Sequence, residues 1–134
     1  MRAERGNGEL ILIVDDEPAV RKLTSAILNR NGYRTITASD GREGREMFVQ
    51  NQNEIRLVVS DMMMPQVDGP TMLRGLREIS PNIRAIIITG LGEENRIGEA
   101  KAAGADAVLN KPFTAEQLLG QMKHLLTAGA AKTV

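Results

Sequence analysis

Three acids, one hydroxyl and one amine stand where apolar runs of this sequence end. Asp61 follows a nearly apolar run, residues 55–59, in which Arg56 is the single charge. Asp15 and Asp16 close LILIV (Leu10–Val14), Thr89 closes IRAIIIT (83–89), and Lys111 follows residues 106–110. A strand that is apolar on both faces belongs inside a sheet covered on both sides, so its C-terminal end is where it first presents a polar atom. In an open parallel sheet, ligands sit beyond those ends, where the strand order reverses. With the order 2-1-3-4-5, the first and third strands are neighbours and the three carboxylates converge. Such a cluster needs a cation, and hard oxygen donors without His or Cys select Mg²⁺, or Mn²⁺, over zinc. Mg²⁺ leaves positions open for phosphate oxygens. A Thr89 hydroxyl and a mobile Lys111 charge are the two groups that a transferring phosphoryl requires.

Taken singly, each of these residues has an ordinary reading. A lone acid at a strand end caps a loop, a lone threonine is a β-branched strand residue, and a lone lysine is solvated. Their co-location is what argues for a site. Asp68 beside Gly69 reads as a turn residue and Asp106 as polarity at a strand entry. Met62, Met63 and Met64 suit packing and loop cover, and His124, the only histidine, suits an exposed helix face.

The elements that must position these groups follow from the hydrophobic spacing. Strands are expected at Leu10–Val14, 33–38, 55–59 running on to Asp61, 83–89 and 106–110. Helices are expected from Pro18 to a stop at Asn31-Gly32, over 40–51 and 70–79, over a weaker 93–103, and from Thr114 with Gln117 at the capping-box position. In the first helix Val20, Leu23, Ile27 and Leu28 form the inner stripe; in the last, Leu118, Met122, Leu125 and Leu126 do. Strands alternating with helices over short connections give an α/β fold: a five-stranded parallel sheet with helices on both faces. Residues 1–9 read as a flexible lead or linker, 10–127 as one domain, and 128–134 (AGAAKTV) as a flexible tail.

Composition narrows the function classes. Among 134 residues, seventeen basic side chains balance seventeen acidic ones, which argues against a nucleic-acid surface or an anionic-membrane surface. The absence of cysteine excludes a thiol nucleophile and a Cys-based metal site. No stretch suits a membrane span or a signal peptide, and the expected compartment is the cytoplasm. Tyr33, Phe48 and Phe113 are the only aromatics, too few for base stacking.

The blocks VDDEP (14–18), DMMMPQVDG (61–69), ITG (88–90) and KPF (111–113) resemble the signature blocks of the response-regulator receiver domain of two-component signalling. The resemblance keeps their order and spacing and spans residues 10–126. It implies the flavodoxin-like, doubly wound form of the fold. It implies that Asp61 is the phosphoacceptor, attacking the phosphorus of a phosphohistidine on a sensor histidine kinase or a histidine phosphotransfer protein. Asp15 and Asp16 match the acids that bind Mg²⁺, and the backbone carbonyl of Met63 matches a further ligand. Thr89 and Lys111 match the switch hydroxyl and the phosphate-binding lysine, and the bond before Pro112 is typically cis in the family. The chain would accept phosphoryl once per transfer rather than act as an enzyme.

Departures from the family pattern bear on the switch region, Gly90, Leu91 and Val108. The position three residues before the lysine usually carries Tyr or Phe, and here it is Val108. Leu91 and Met63, two residues beyond Thr89 and Asp61, are apolar where the family controls water access, which suggests a long-lived phosphoryl group. The weak fourth helix, with Gly98 in it and Gly90 and Gly92 before it, makes 90–104 the segment expected to move on phosphorylation.

Other classes fit less well. An aspartate-nucleophile phosphatase needs a second acid where Met63 stands, and GLGEEN (90–95) has two of the three glycines of a nucleotide-binding loop but follows the wrong strand and lacks the close-packing third. A metal-binding pseudo-receiver, acting only as a protein-binding module, is the remaining alternative, although such a chain is expected to have lost some of the acids. GNGELILIVDDEP (6–18) resembles the junction to the C-terminal receiver of a hybrid histidine kinase, a context slightly favoured over a stand-alone regulator.

Overall fold

The computed structural model describes residues 5–132. The chain runs β1 (Leu10–Val14), α1 (Pro18–Arg30), β2 (Arg34–Ala38), α2 (Gly41–Gln50), β3 (Ile55–Asp61), α3 (Gly69–Ile79), β4 (Arg84–Thr89), a single 3-10 turn (Glu94–Arg96), α4 (Ile97–Ala102), β5 (Ala107–Asn110) and α5 (Ala115–Lys132). The five strands form one parallel sheet in the expected order, β2-β1-β3-β4-β5.

The unbroken apolar runs are explained by two cores, one on each face. Along β1, Leu10, Leu12 and Val14 join a core with Phe48, Met72, Leu73, Leu76 and Ala100, under α2, α3 and α4. Ile11 and Ile13 point the other way, into a core with Leu28, Leu118, Met122 and Leu125, under α1 and α5. Successive strand side chains alternate faces, so a strand apolar at every position must be covered on both.

Local chemistry sets the helix ends. Asp40 caps α2 by accepting from the Glu43 amide at 2.8 Å, and Asp68 caps α3 by accepting from the Thr71 amide at 2.9 Å. Thr114 and Gln117 bond reciprocally, 3.0 and 2.9 Å, as a capping box at the start of α5.

Two expectations are corrected, one in α1 and one in α4. Leu23 is 63% exposed and the adjacent Thr24 is buried, because the inward line of α1 passes through Thr24 and Leu28, four residues apart. The fourth helix is a 3-10 turn plus six residues, of which only Ala100 is buried, so little packing sustains it. The end of the lead is tied down: Gly6 and Gly8 donate to the carbonyls of Asn31 and Gly32, both at 2.7 Å, and Arg34 Nε donates to the Gly8 carbonyl. Gly6 lies on the Tyr33 ring, where a Cβ would come within 2.5 Å of the ring carbons. The expected tail stays helical to Lys132, consistent with the high helix propensity of its alanines. Residues 1–4 of the lead and 133–134 of the tail lie outside the described residues.

Candidate functional site

Because β1 and β3 are hydrogen-bonded neighbours with Val14 opposite Ser60, Asp15 and Asp16 come level with Asp61 at the carboxyl edge of the sheet. One carboxylate oxygen from each of the three lies within 4.8 Å of the others. Asp15 and Asp61 are buried and Asp16 is exposed.

The backbone holds this cradle in place. Asp15 accepts from the Glu17 amide at 2.9 Å, and Arg21 Nη1 donates to the Asp15 carbonyl at 2.6 Å. The Met62 amide is shared between the Ile88 carbonyl, 2.8 Å, and Asp61 Oδ1, 3.1 Å. Gly69 donates to the Met62 carbonyl at 2.9 Å, and its α-carbon sits so close to the Asp61 carbonyl that no Cβ fits.

Lys111 closes the site from β5. Its Nζ lies 3.5 Å from Asp61 Oδ1 and 3.5 Å from Glu17 Oε1, and the Lys111-Pro112 bond is cis. Burial, reinforced by the Asp15 charge, pushes the Asp61 carboxyl up to about 6 despite Lys111. Burial also raises Asp15, and, against the burial that would depress it, the charges of Asp61, Asp15 and Glu17 hold Lys111 above its ordinary value. Burying two carboxylates beside a third acid costs more than one ammonium offsets. The site therefore favours additional positive charge.

Thr89 stands one residue past Ile88, which pairs with Asp61. The residue is 1% exposed and its hydroxyl is turned towards β5, donating to Asn110 Oδ1 at 2.6 Å. None of the remaining candidates is hydrogen-bonded to the three carboxylates. The Gly90 amide donates to Glu93 Oε1 at 2.7 Å, Leu91 is 91% exposed, and Val108 is half-buried against the core under α2, α3 and α4. The Met63 side chain is exposed and meets the Arg96 guanidinium.

Glu17, Arg96 and Asn110 were not foreseen as parts of this region; Gly69 was expected in the turn after Asp61 for a positive φ, whereas its φ is not positive and its role is the close approach to the Asp61 carbonyl. The DDE run could have flagged Glu17. Nothing in the sequence signals Asn110, because the rotamer of Thr89 has no sequence signature. Asp68 does more than turn the chain, since its Oδ2 also pairs with Arg96 Nη2 at 3.0 Å.

A family model described as the response regulator receiver domain matches residues 11–123. The chain belongs to this receiver family. It is 36% identical over 118 residues to sporulation initiation phosphotransferase F of Bacillus subtilis, covering 88% of this receiver and 94% of that protein. It is 37% identical over 116 residues to the sensor kinase CckA of Brucella abortus, covering 87% of this receiver but 12% of the kinase. Among solved structures, a response regulator receiver domain protein from Clostridium thermocellum superimposes with a TM-score of 0.87 at 33% identity, covering 91% of this chain and 97% of that one. Receivers of this kind thus occur both as nearly whole proteins and as small parts of long ones. No helix among the described residues is long and apolar enough to cross a membrane.

Proposed function

We propose that this receiver takes a phosphoryl group from a phosphohistidine onto Asp61 and signals through the resulting change around Thr89 and Lys111. The observation that carries the reading is the convergence of Asp15, Asp16 and Asp61 within 4.8 Å, with Lys111 Nζ 3.5 Å from the Asp61 carboxylate. An Asp61 oxygen attacks phosphorus in line, an O–P bond forms, and the P–N bond breaks with its electron pair returning to the imidazole. The product is an acyl phosphate. Lys111 then lies where it can pair with a phosphoryl oxygen, and the Met62 amide already addresses the reacting carboxylate.

The donor set fits Mg²⁺: oxygen ligands only, strongly mutually repelling, with one of the three acids open to solvent. Asp15, Asp16, Asp61 and the Met63 carbonyl would hold it. When bound, the ion supplies charge that offsets the carboxylates and the phosphoryl oxygens. The donor would be a sensor histidine kinase or a histidine phosphotransfer protein. With Leu91 and Met63 apolar beside the site, the acyl phosphate is long-lived; autodephosphorylation with a half-life of seconds contradicts this.

The test is a ³¹P spectrum recorded with phosphoramidate, a P–N donor, and Mg²⁺. An acyl-phosphate signal that is absent in Asp61→Asn supports the reading. Its absence from the unmodified chain, folded and with a phosphohistidine protein also tried, leaves a binding module of receiver shape.

A further inference from the structure

We propose that Asn110 is a positioning residue for the Thr89 hydroxyl, holding it off the site until a phosphoryl group competes for it. This rests on the phosphoacceptor reading of Asp61 and adds a residue that the reading does not require.

Thr89 is almost wholly buried at the end of β4, and a buried hydroxyl needs a partner. A hydroxyl has one proton to donate and turns to suit its acceptor. Here that acceptor is Asn110 Oδ1 at 2.6 Å; the next candidate, the Leu109 carbonyl, is a poor second at 3.5 Å. Asn110 is paired with Thr89 across the β4–β5 ladder and immediately precedes Lys111. The acceptor that holds the hydroxyl and the ammonium that faces Asp61 are therefore consecutive residues, the last of β5 and the one that follows it.

A phosphoryl oxygen on Asp61 would be a second acceptor for the same proton. A charged acceptor forms the stronger bond, so the hydroxyl turns to it and releases Asn110. Asn110 is exposed, and water can take up its freed oxygen. Until then, Asn110 sets how often the hydroxyl is free.

The experiment is a double-mutant cycle on beryllofluoride affinity in the presence of Mg²⁺, using the unmodified chain, Asn110→Ala, Thr89→Val and the double variant. Removing the competing acceptor tightens binding roughly five-fold in the Thr89 background, about what one neutral hydrogen bond supports. In the Thr89→Val background the same substitution changes nothing. In the ligand-free protein, the Thr89 side chain passes from one rotamer to averaged rotamers in Asn110→Ala, read from its three-bond couplings to the γ-methyl carbon.

Equal effects in both backgrounds, no effect, or a fixed Thr89 rotamer in Asn110→Ala overturns the inference. Beryllofluoride binding that is indifferent to Asn110 overturns it alone. Failure of the unmodified chain to bind beryllofluoride overturns the reading of the site as well.

Discussion

The seam between β1 and β3 and the outer edge formed by β4, β5 and α4 meet at one site but are built to different standards. At the seam both strands are buried on both faces, each is flanked by strands on both sides, and the loops beyond them are held by Arg21, Met62 and Gly69. At the edge, β5 is four residues long with no fully buried position, and α4 buries a single alanine.

Ion pairs stand in for packing there, unequally at the two ends of α4. Beyond its C-terminal end, Asp106 accepts from the Ala85 amide at 2.8 Å and pairs with Arg77 and Arg84 at 3.2 and 3.4 Å. At its N-terminal end, Arg96 pairs with Asp68 and Glu99. On the proposed function, chemistry needs a fixed geometry and a readout needs a cheap one, and the two would fall on adjacent strands.

Substitutions can sharpen or break this contrast. The largest effect is expected at Gly69→Ala, where the new Cβ meets the Asp61 carbonyl: a loss of about 3 kcal/mol in urea unfolding, by overpacking against backbone that cannot give. A near-neutral result would show that the seam is loose.

Next comes the charge stored at the seam. Asp61 has its carboxyl pushed up to about 6 from 3.8, so between these values the folded state holds more protons than the unfolded one. Stability therefore falls as pH rises from about 4 to about 6, and the cost is complete above 6. Without metal, Asp61→Asn should gain on the order of 2 kcal/mol at pH 7 and nothing below about pH 4, and Mg²⁺ should narrow the difference. The same gain at every pH would mean that the seam carries no such charge strain.

At the edge a glycine substitution has the opposite sign to Gly69→Ala. Gly98→Ala in α4 meets nothing and should stabilise by roughly 0.5–1 kcal/mol. Smallest in global terms is Arg96→Ala, because partly exposed surface pairs contribute little to unfolding. It should nevertheless raise amide exchange over 90–104 while leaving 55–62 unchanged. Exchange rising equally in both segments would erase the distinction between seam and edge.

The seam was legible in the sequence because its physics is one-dimensional. Nearly apolar runs ending at Asp15 and Asp61 give strand ends, parallel order follows from alternation with helices, and convergence follows from the order. The edge was legible only as weakness. Which partners Arg96 and Asp106 choose, and which way the Thr89 hydroxyl turns, depends on rotamers and long-range pairings to which spacing is blind. The contacts of the lead were not legible for a related reason: the missing Cβ of Gly6 is what lets its backbone lie against the Tyr33 ring, while Gly8 takes a positive φ in open space and donates to the Gly32 carbonyl.

The most direct measurement is the intact mass after incubation with acetyl phosphate and Mg²⁺, beside Asp61→Asn and a chelator control. One phosphoryl adduct per chain, absent from both controls, is the predicted result. An adduct that persists in Asp61→Asn or without metal, or no adduct on the folded protein, would contradict the assignment of Asp61 as the acceptor.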